Sequence, residues 1–346
     1  MSILDLRAEK SAFDKILLGQ VIAPNFKAIL DEEVKVIVEN LSDEEIQKVK
    51  LDPLDPLILR FKDNPIELKK PVFLREHDQN KFLNINITRT LEIRDNNKTV
   101  NAQVMSTNLE DRNDKILSGR FEYNFLKNSV FSGGWSGVFT TDVNQENKKF
   151  LLPKSNAIII NDNYLFNKIS TSKENLGVLN LINLLFTIMP QKCSMEFHIS
   201  IITSDAKWDF YSAEKYFNRI YSELKQKFDY SIFLELVIWV SPENHKRILI
   251  SNYYIASSDK GFDLFKEDDI VVDTNDILVR RVFHDVGHPG ESPYKQSLTR
   301  LRLIKKTVDN ARNYSSKATQ TVGKIFISSD QSNATTNRLL NNLFLK

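Results

Sequence analysis

Cysteine is almost missing from this 346-residue sequence, and the single Cys193 excludes an intramolecular disulfide and any cysteine-rich zinc site. That usage fits a reducing, cytoplasmic setting, and Cys193 itself reads as a small buried hydrophobe. Glycine and proline are scarce, ten of each, so the chain is neither fibrous nor a flexible low-complexity linker. No internal repeat is visible. Long apolar runs are missing too: the longest, residues 176–189, falls short of the roughly 20 residues of a membrane span. Asn180 and Asn183 interrupt it, and it reads as a buried helix. The opening MSILDLRAEKSAFDK has early acidic residues and no apolar core before a small-residue cleavage site, unlike a secretory signal.

What is present is an ordered composition, with 41% hydrophobic and 27% charged residues, and enough length for two structural domains divided near residue 150. Abundant Asn, Lys and Ile points to an AT-rich, bacterial genome. The net charge of +2 conceals an asymmetry: residues 277–346 hold 12 Lys or Arg against 4 Asp or Glu, so the final segment carries +8 and the rest −6. The final segment is therefore the part that attracts a polyanion.

Periodicity organises the chain into two parts. After an expected N-terminal helix, residues 34–38 (VKVIV) and 83–87 (LNINI) have strand patterns, and Ser42 and Glu45 are spaced as a capping box. Pro53, Pro56, Pro65 and Pro71 break helices or confine strands to edges, which predicts a β-rich domain over residues 1–150. The SGGWSG stretch at residues 132–137 is a turn by composition; its alternative is a phosphate cradle of backbone amides. From residue 156 strand and helix alternate: strands at 157–160, 197–202 and 233–240, helices at 176–189 and 211–228. Two further strands come next over 246–258 with a turn near Asn252, then one at 277–283. A helix over 291–313 carries the apolar stripe Leu298, Leu301, Ile304, Val308 and Ala311. Residues 151–346 thus predict an α/β domain, a mixed sheet flanked by helices.

Chemistry-bearing residues concentrate near the strand entrance at residue 245. His245-Lys246-Arg247 is followed after four residues by Asn252, an H-x-R-x4-N pattern whose alternate residues share one strand face. On the last helix, Arg302, Lys305 and Lys306 fall together, flanked by Arg300 and Arg312, either as a solvated face or as a polyanion-binding ridge. Other clusters are less telling. His284, Asp285 and His288 lead into Pro289-Gly290, a turn, so no metal site is expected; His198 lies in an apolar strand as a satisfied core residue; His77 sits in a polar loop.

The run LELVIWVSPENHKRILISNYYIASSDKGFDLFK, with IINDNY upstream and ITS at residues 202–204, resembles the phospholipase D-like C-terminal domain of MIT-domain proteins. The resemblance spans residues 156–266. It implies a phospholipase D-like α/β fold preceded by the β-rich N-terminal domain. Phospholipase D enzymes use H-x-K-x4-D: histidine attacks phosphorus, lysine neutralises phosphate oxygens and aspartate orients a histidine. By resemblance His245, Arg247 and Asn252 take these places, with Lys246, Asp162, Tyr164, Gly261 and Asp263 around the phosphate. Asn163 and Lys246 depart from the family pattern. Arginine in place of lysine keeps the charge and adds a bidentate fork, whereas asparagine in place of aspartate cannot stabilise an imidazolium by charge.

Only one histidine motif is present, where a phospholipase D site needs two histidines. The leading expectation is a catalytically degenerate protein that recognises phosphate groups of nucleic acid, with no cofactor, as part of a prokaryotic antiviral defence system with protein partners. One alternative is a homodimeric, metal-independent nuclease that pairs two His245 residues across a two-fold axis. The other is a scaffold that binds phosphoinositide headgroups or protein filaments.

Overall fold

Continuous β-branched and aromatic runs such as AIIIN, FHISIIT and IFLELVIW form strands buried on both faces, and such strands require helices on the connections between them. The structure, a computed structural model, describes residues 5–10, 35–39, 41–60, 66–68, 88–95, 98–104, 120–140, 149–152, 155–166, 175–193, 196–204, 207–240, 247–252, 254–281, 293–315, 320–330 and 337–341.

In the N-terminal part, β1 (Asp5–Glu9), β2 (Lys35–Glu39), β3 (Ile66–Leu68), β4 (Thr88–Asp95) and β5 (Lys98–Val104) form a five-stranded sheet in the order β3-β2-β1-β4-β5. A strand therefore stands at residues 5–9, where a helix was expected. DLRAE alternates polar and apolar residues with period two, and it pairs in parallel with KVIVE from Asp5↔Lys35 to Glu9↔Glu39. The expected strand at 83–87 lies outside the described residues. Two helices, α1 (Asp43–Leu51) and α2 (Pro56–Arg60), come after β2. The α1 capping box forms as the spacing predicts: the Glu45 amide donates to Ser42 Oγ at 3.2 Å, and the Ser42 amide donates to Glu45 Oε2 at 2.7 Å.

The larger sheet has eight strands. After β6 (Arg120–Phe125), α3 (Trp135–Val138) and the short pair β7 (Phe139–Thr140) and β8 (Phe150–Leu151), the chain enters β9 (Ala157–Asn161), α4 (Leu176–Ile188), β10 (Phe197–Thr203), α5 (Phe210–Lys227) and β11 (Ile232–Trp239). It continues through β12 (Arg247–Ser251), β13 (Tyr254–Ser258), β14 (Phe265–Lys266), β15 (Ile270–Val271), β16 (Asn275–Arg281), α6 (Pro293–Ser315) and β17 (Lys324–Ser328). The sheet order is β17-β11-β10-β9-β12-β13-β16-β6. Strands β9, β10 and β11 are parallel, and every other pairing in the sheet is antiparallel. Helices α4 and α5 pack together, while α6 lies against β11 and β17.

Two details position the site. After β11 the chain passes beyond β10 and β9 to lay β12 on the far side of β9, so the strand order reverses between β9 and β12. Ligand crevices of open α/β sheets form at such reversals, outside the carboxyl ends of the parallel strands. Second, the sheet takes its far edge strand from β6, thirty residues before the expected division near 150. Tyr123 of that strand stitches it to α3 and β8, donating to the Val138 carbonyl at 2.8 Å and accepting from the Phe150 amide at 3.0 Å. Buried Phe125, Trp135, Val138, Phe139 and Phe150 complete the packing, each apolar side chain contributing about 1.5–3 kcal/mol. Cys193 is only partly buried, packed on the margin of the core, where a fully buried residue was expected.

Candidate functional site

The apolar run of β9 ends in Asn161-Asp162, and β12 begins with Arg247. The antiparallel register Ile248↔Asn161 sets Arg247 beside Asp162 at the reversal point. Asp162 is 1% exposed, with Nε of Arg247 at 3.8 Å from its Oδ1. The same Oδ1 accepts from the Tyr164 amide at 3.0 Å, and Oδ2 accepts from the Phe262 amide at 2.8 Å. One carboxylate thus ties the end of β9, the start of β12 and the loop after β13 together. Arg247 also donates through Nη1 to the Asp259 carbonyl, and its guanidinium carbon lies 5.2 Å from the centre of the Tyr164 ring. Carboxylate, carbonyl and ring fix the guanidinium plane, yet the side chain stays 22% exposed at the sheet edge.

Gly261 is at φ +112°, a backbone conformation that L side chains rarely adopt, and a Cβ there would stand 2.6 Å from Asp162 Oδ2. The loop is held from below: Ser258 Oγ accepts from the Gly261 amide at 2.9 Å, and Asn275 Nδ2 donates to the Gly261 carbonyl at 3.0 Å. Asp263 is buried in the same cluster, its Oδ1 3.2 Å from the Gly261 Cβ position. Asp162, Tyr164, Arg247, Gly261 and Asp263, separated by up to a hundred residues in the chain, therefore meet. His245 and Lys246 lie outside the described residues, as do His284, Asp285, His288 and His77.

Asn252 does not meet them. It sits at the opposite end of β12, fully buried, where its Oδ1 accepts from the amides of Asn156 and Ala157 at 3.1 Å each. At about 3.3 Å per residue, the length of β12 separates Asn252 from Arg247, one at each end of the strand. Its work is to anchor the start of β9. His198 is fully buried, as its apolar strand predicts; Nδ1 accepts from the Arg338 amide at 3.2 Å, and Nε2 lies 3.0 Å from Glu196 Oε2. That bond from His198 is the main reason the Glu196 carboxyl is held below its ordinary range.

On α6 the expected basic ridge divides. The apolar stripe faces inward, and Arg302 and Lys306, one turn apart, are exposed with Arg300 half-buried nearby. Lys305 is bonded to Asp309 at 2.9 Å. Arg312 departs from the ridge: it turns into the sheet, where Nη2 is 3.3 Å from Glu235 Oε2 and its guanidinium lies 5.3 Å over Phe326.

Glu235 belongs to no motif of the sequence. It is fully buried on β11, accepts from Ser200 Oγ of β10, and has its pKa pushed up to about 7 because burial outweighs both the hydroxyl and the Arg312 charge. A lone carboxylate inside LELVIWV was the legible signal. The SGGWSG loop has a plain role as well. The Gly133 amide donates to Asp269 Oδ2 at 2.8 Å, and the amides of Gly134, Ser136 and Gly137 donate to nearby carbonyls. These amides hold the chain's own groups, which makes the loop a structural turn. Neither any family model nor any curated protein matches this chain.

Proposed function

We propose that the chain is a catalytically degenerate phospholipase D-like protein that recognises phosphate groups of nucleic acid, with Arg247 as the contacting residue and the exposed cations of α6 as a second anchor. The observation that carries this reading is Arg247 itself. It is a permanently charged guanidinium, oriented by Asp162 and Tyr164, still accessible, and placed where the strand order reverses. A guanidinium so held loses little freedom on meeting a phosphate, and its remaining N–H groups match phosphate oxygens. Asp162 is satisfied by two backbone amides as well as by Arg247, so a phosphate does not have to displace the carboxylate from an unsupported position.

The test is the affinity for a fluorescently labelled oligonucleotide measured by anisotropy over a series of salt concentrations. Affinity is expected to fall with a logarithmic slope of about −0.9 per phosphate neutralised. Arg247→Ala is expected to weaken binding about ten-fold or more and to make the slope shallower by about one contact. An affinity indifferent to salt overturns the reading, and so does an Arg247→Ala protein that stays folded and binds as the parent does.

A further inference from the structure

The edge that carries Arg247 holds a second pairing of cation and ring. β11 ends in Trp239, β17 opens opposite it in the register Trp239↔Lys324, and the last turn of α6 brings in Tyr314. The rings of Trp239 and Tyr314 meet edge to face with centroids 5.6 Å apart, and Lys324 Nζ lies 5.8 Å and 5.1 Å from them. Lys324 is exposed, and both rings are half-buried. The registers Ile248↔Asn161, Ile202↔Asn161 and Thr203↔Ile238 put this group and Arg247 at the same end of the sheet. Four strand spacings separate β12 from β17, about 19 Å at 4.8 Å each.

We infer that this edge is a stacking track for single-stranded nucleic acid, running from Tyr164 and Arg247 at one end to Trp239, Tyr314 and Lys324 at the other. The inference rests on the phosphate-binding reading of Arg247 and adds the form of nucleic acid it takes. Bases in a duplex are stacked on one another, and an aromatic side chain at a protein surface cannot reach their faces. A single strand offers those faces, and aromatic platforms interleaved with cations hold it through stacking and phosphate contacts together. The edge has that alternation at both ends. Tyr164 is 49% exposed beside Arg247, and exposed Val240 and Val322 border Lys324 with apolar surface suited to a base or sugar. Among the described residues at this edge, Asp162 is engaged as described and Asp209 by the Ser212 amide at 2.7 Å as the cap of α5, while Asp259 is exposed beside Arg247. At about 3.4 Å per nucleotide, 19 Å accommodates at most about six nucleotides, and fewer when the strand is stretched.

The experiment compares the anisotropy of a labelled oligothymidylate with that of a duplex of equal length, for the parent chain and for Trp239→Leu, Trp239→Phe and Tyr164→Ala. The single strand is expected to bind more tightly than the duplex. Trp239→Leu is expected to weaken single-strand binding about five- to a hundred-fold while leaving duplex binding in place, and Trp239→Phe is expected to restore most of the loss; Tyr164→Ala, which removes a ring that also orients Arg247, is expected to weaken both forms and the single strand more than the duplex. Tyr164 is a surface ring, so its removal tests the track even if the Trp239 variants fold poorly. Equal affinity for both forms with no effect of Trp239→Leu or Tyr164→Ala overturns the stacking track while leaving salt-dependent, Arg247-dependent phosphate binding standing. Binding of neither form, or only of phosphoinositide vesicles, overturns both.

Discussion

Asp162 joins two backbone amides and one cation, and it is the residue through which chain segments a hundred positions apart share one site. Its carboxylate leaves no room for a side chain at Gly261, so that glycine answers both a positive φ and a close approach. Glu235 shows the opposite economy of charge. Buried between Ser200 and Arg312, it binds its proton more readily in the folded chain than in the unfolded one, with a folded pKa of about 7 against an ordinary value near 4.3. A group raised in this way contributes stability that is fully present below the ordinary Glu range and is lost as pH rises through about 7. The size of the effect is about 3 kcal/mol across that window. Glu235→Gln, which cannot ionise, is expected to flatten the dependence. Urea midpoints between pH 5 and pH 8 check this, and a parent chain as stable at pH 8 as at pH 5 contradicts it.

At the scale of the element, α6 has two chemically distinct sides. One carries Leu298, Leu301, Ile304, Val308 and Ala311 inward and anchors Arg312 to β11. The other presents Arg302 and Lys306 one turn apart. The double change Arg302→Glu with Lys306→Glu is expected to leave thermal stability within about 0.5 kcal/mol, because exposed substitutions away from caps and cores rarely matter more. Oligonucleotide affinity is expected to fall and the salt slope to become shallower by about two contacts. An unchanged slope assigns this face to ordinary solvation. Helix α4 makes a different demand: a Cβ on Gly177 would stand 1.5 Å from the Leu165 carbonyl oxygen, so a glycine lets the helix start against the loop after β9.

At the scale of the molecule, the eight-stranded sheet reaches back to Arg120 for its last strand. A fragment cut at the boundary suggested by the sequence, 151–346, loses β6 together with Trp135, Val138, Phe139 and Phe150 from the core and leaves β16 as an unpaired edge. Exposed edges of that kind template aggregation. Fragment 151–346 is therefore expected to unfold at lower urea concentration, or to aggregate, relative to fragment 120–346, as size-exclusion chromatography and denaturation curves will show. Equal stability of the two fragments contradicts the packing described for β6.

Local patterns alone were enough for β9 to β13, β16 and α4 to α6, because unbroken apolar runs and a 3.6-residue stripe each admit one way of burying their surface; the short β14 and β15 and the closing β17 were not foreseen. Strands β9, β10 and β11, helices α4, α5 and α6, and the α1 capping box were all legible for that reason. Pattern failed at residues 5–9, where five alternating residues become a strand only because β2 and β4 lie beside them. Tertiary structure decided the rest, since register, and not spacing along the chain, determines which side chains meet. With only four residues between them, Arg247 and Asn252 looked close enough to serve the same site. An extended strand carried Asn252 to the far end of the sheet, and the same geometry brought Asp162, Tyr164 and Gly261 to Arg247 from distant parts of the chain. Arg312 likewise belonged by spacing to a surface ridge, and it turns inward to meet the buried carboxyl of Glu235.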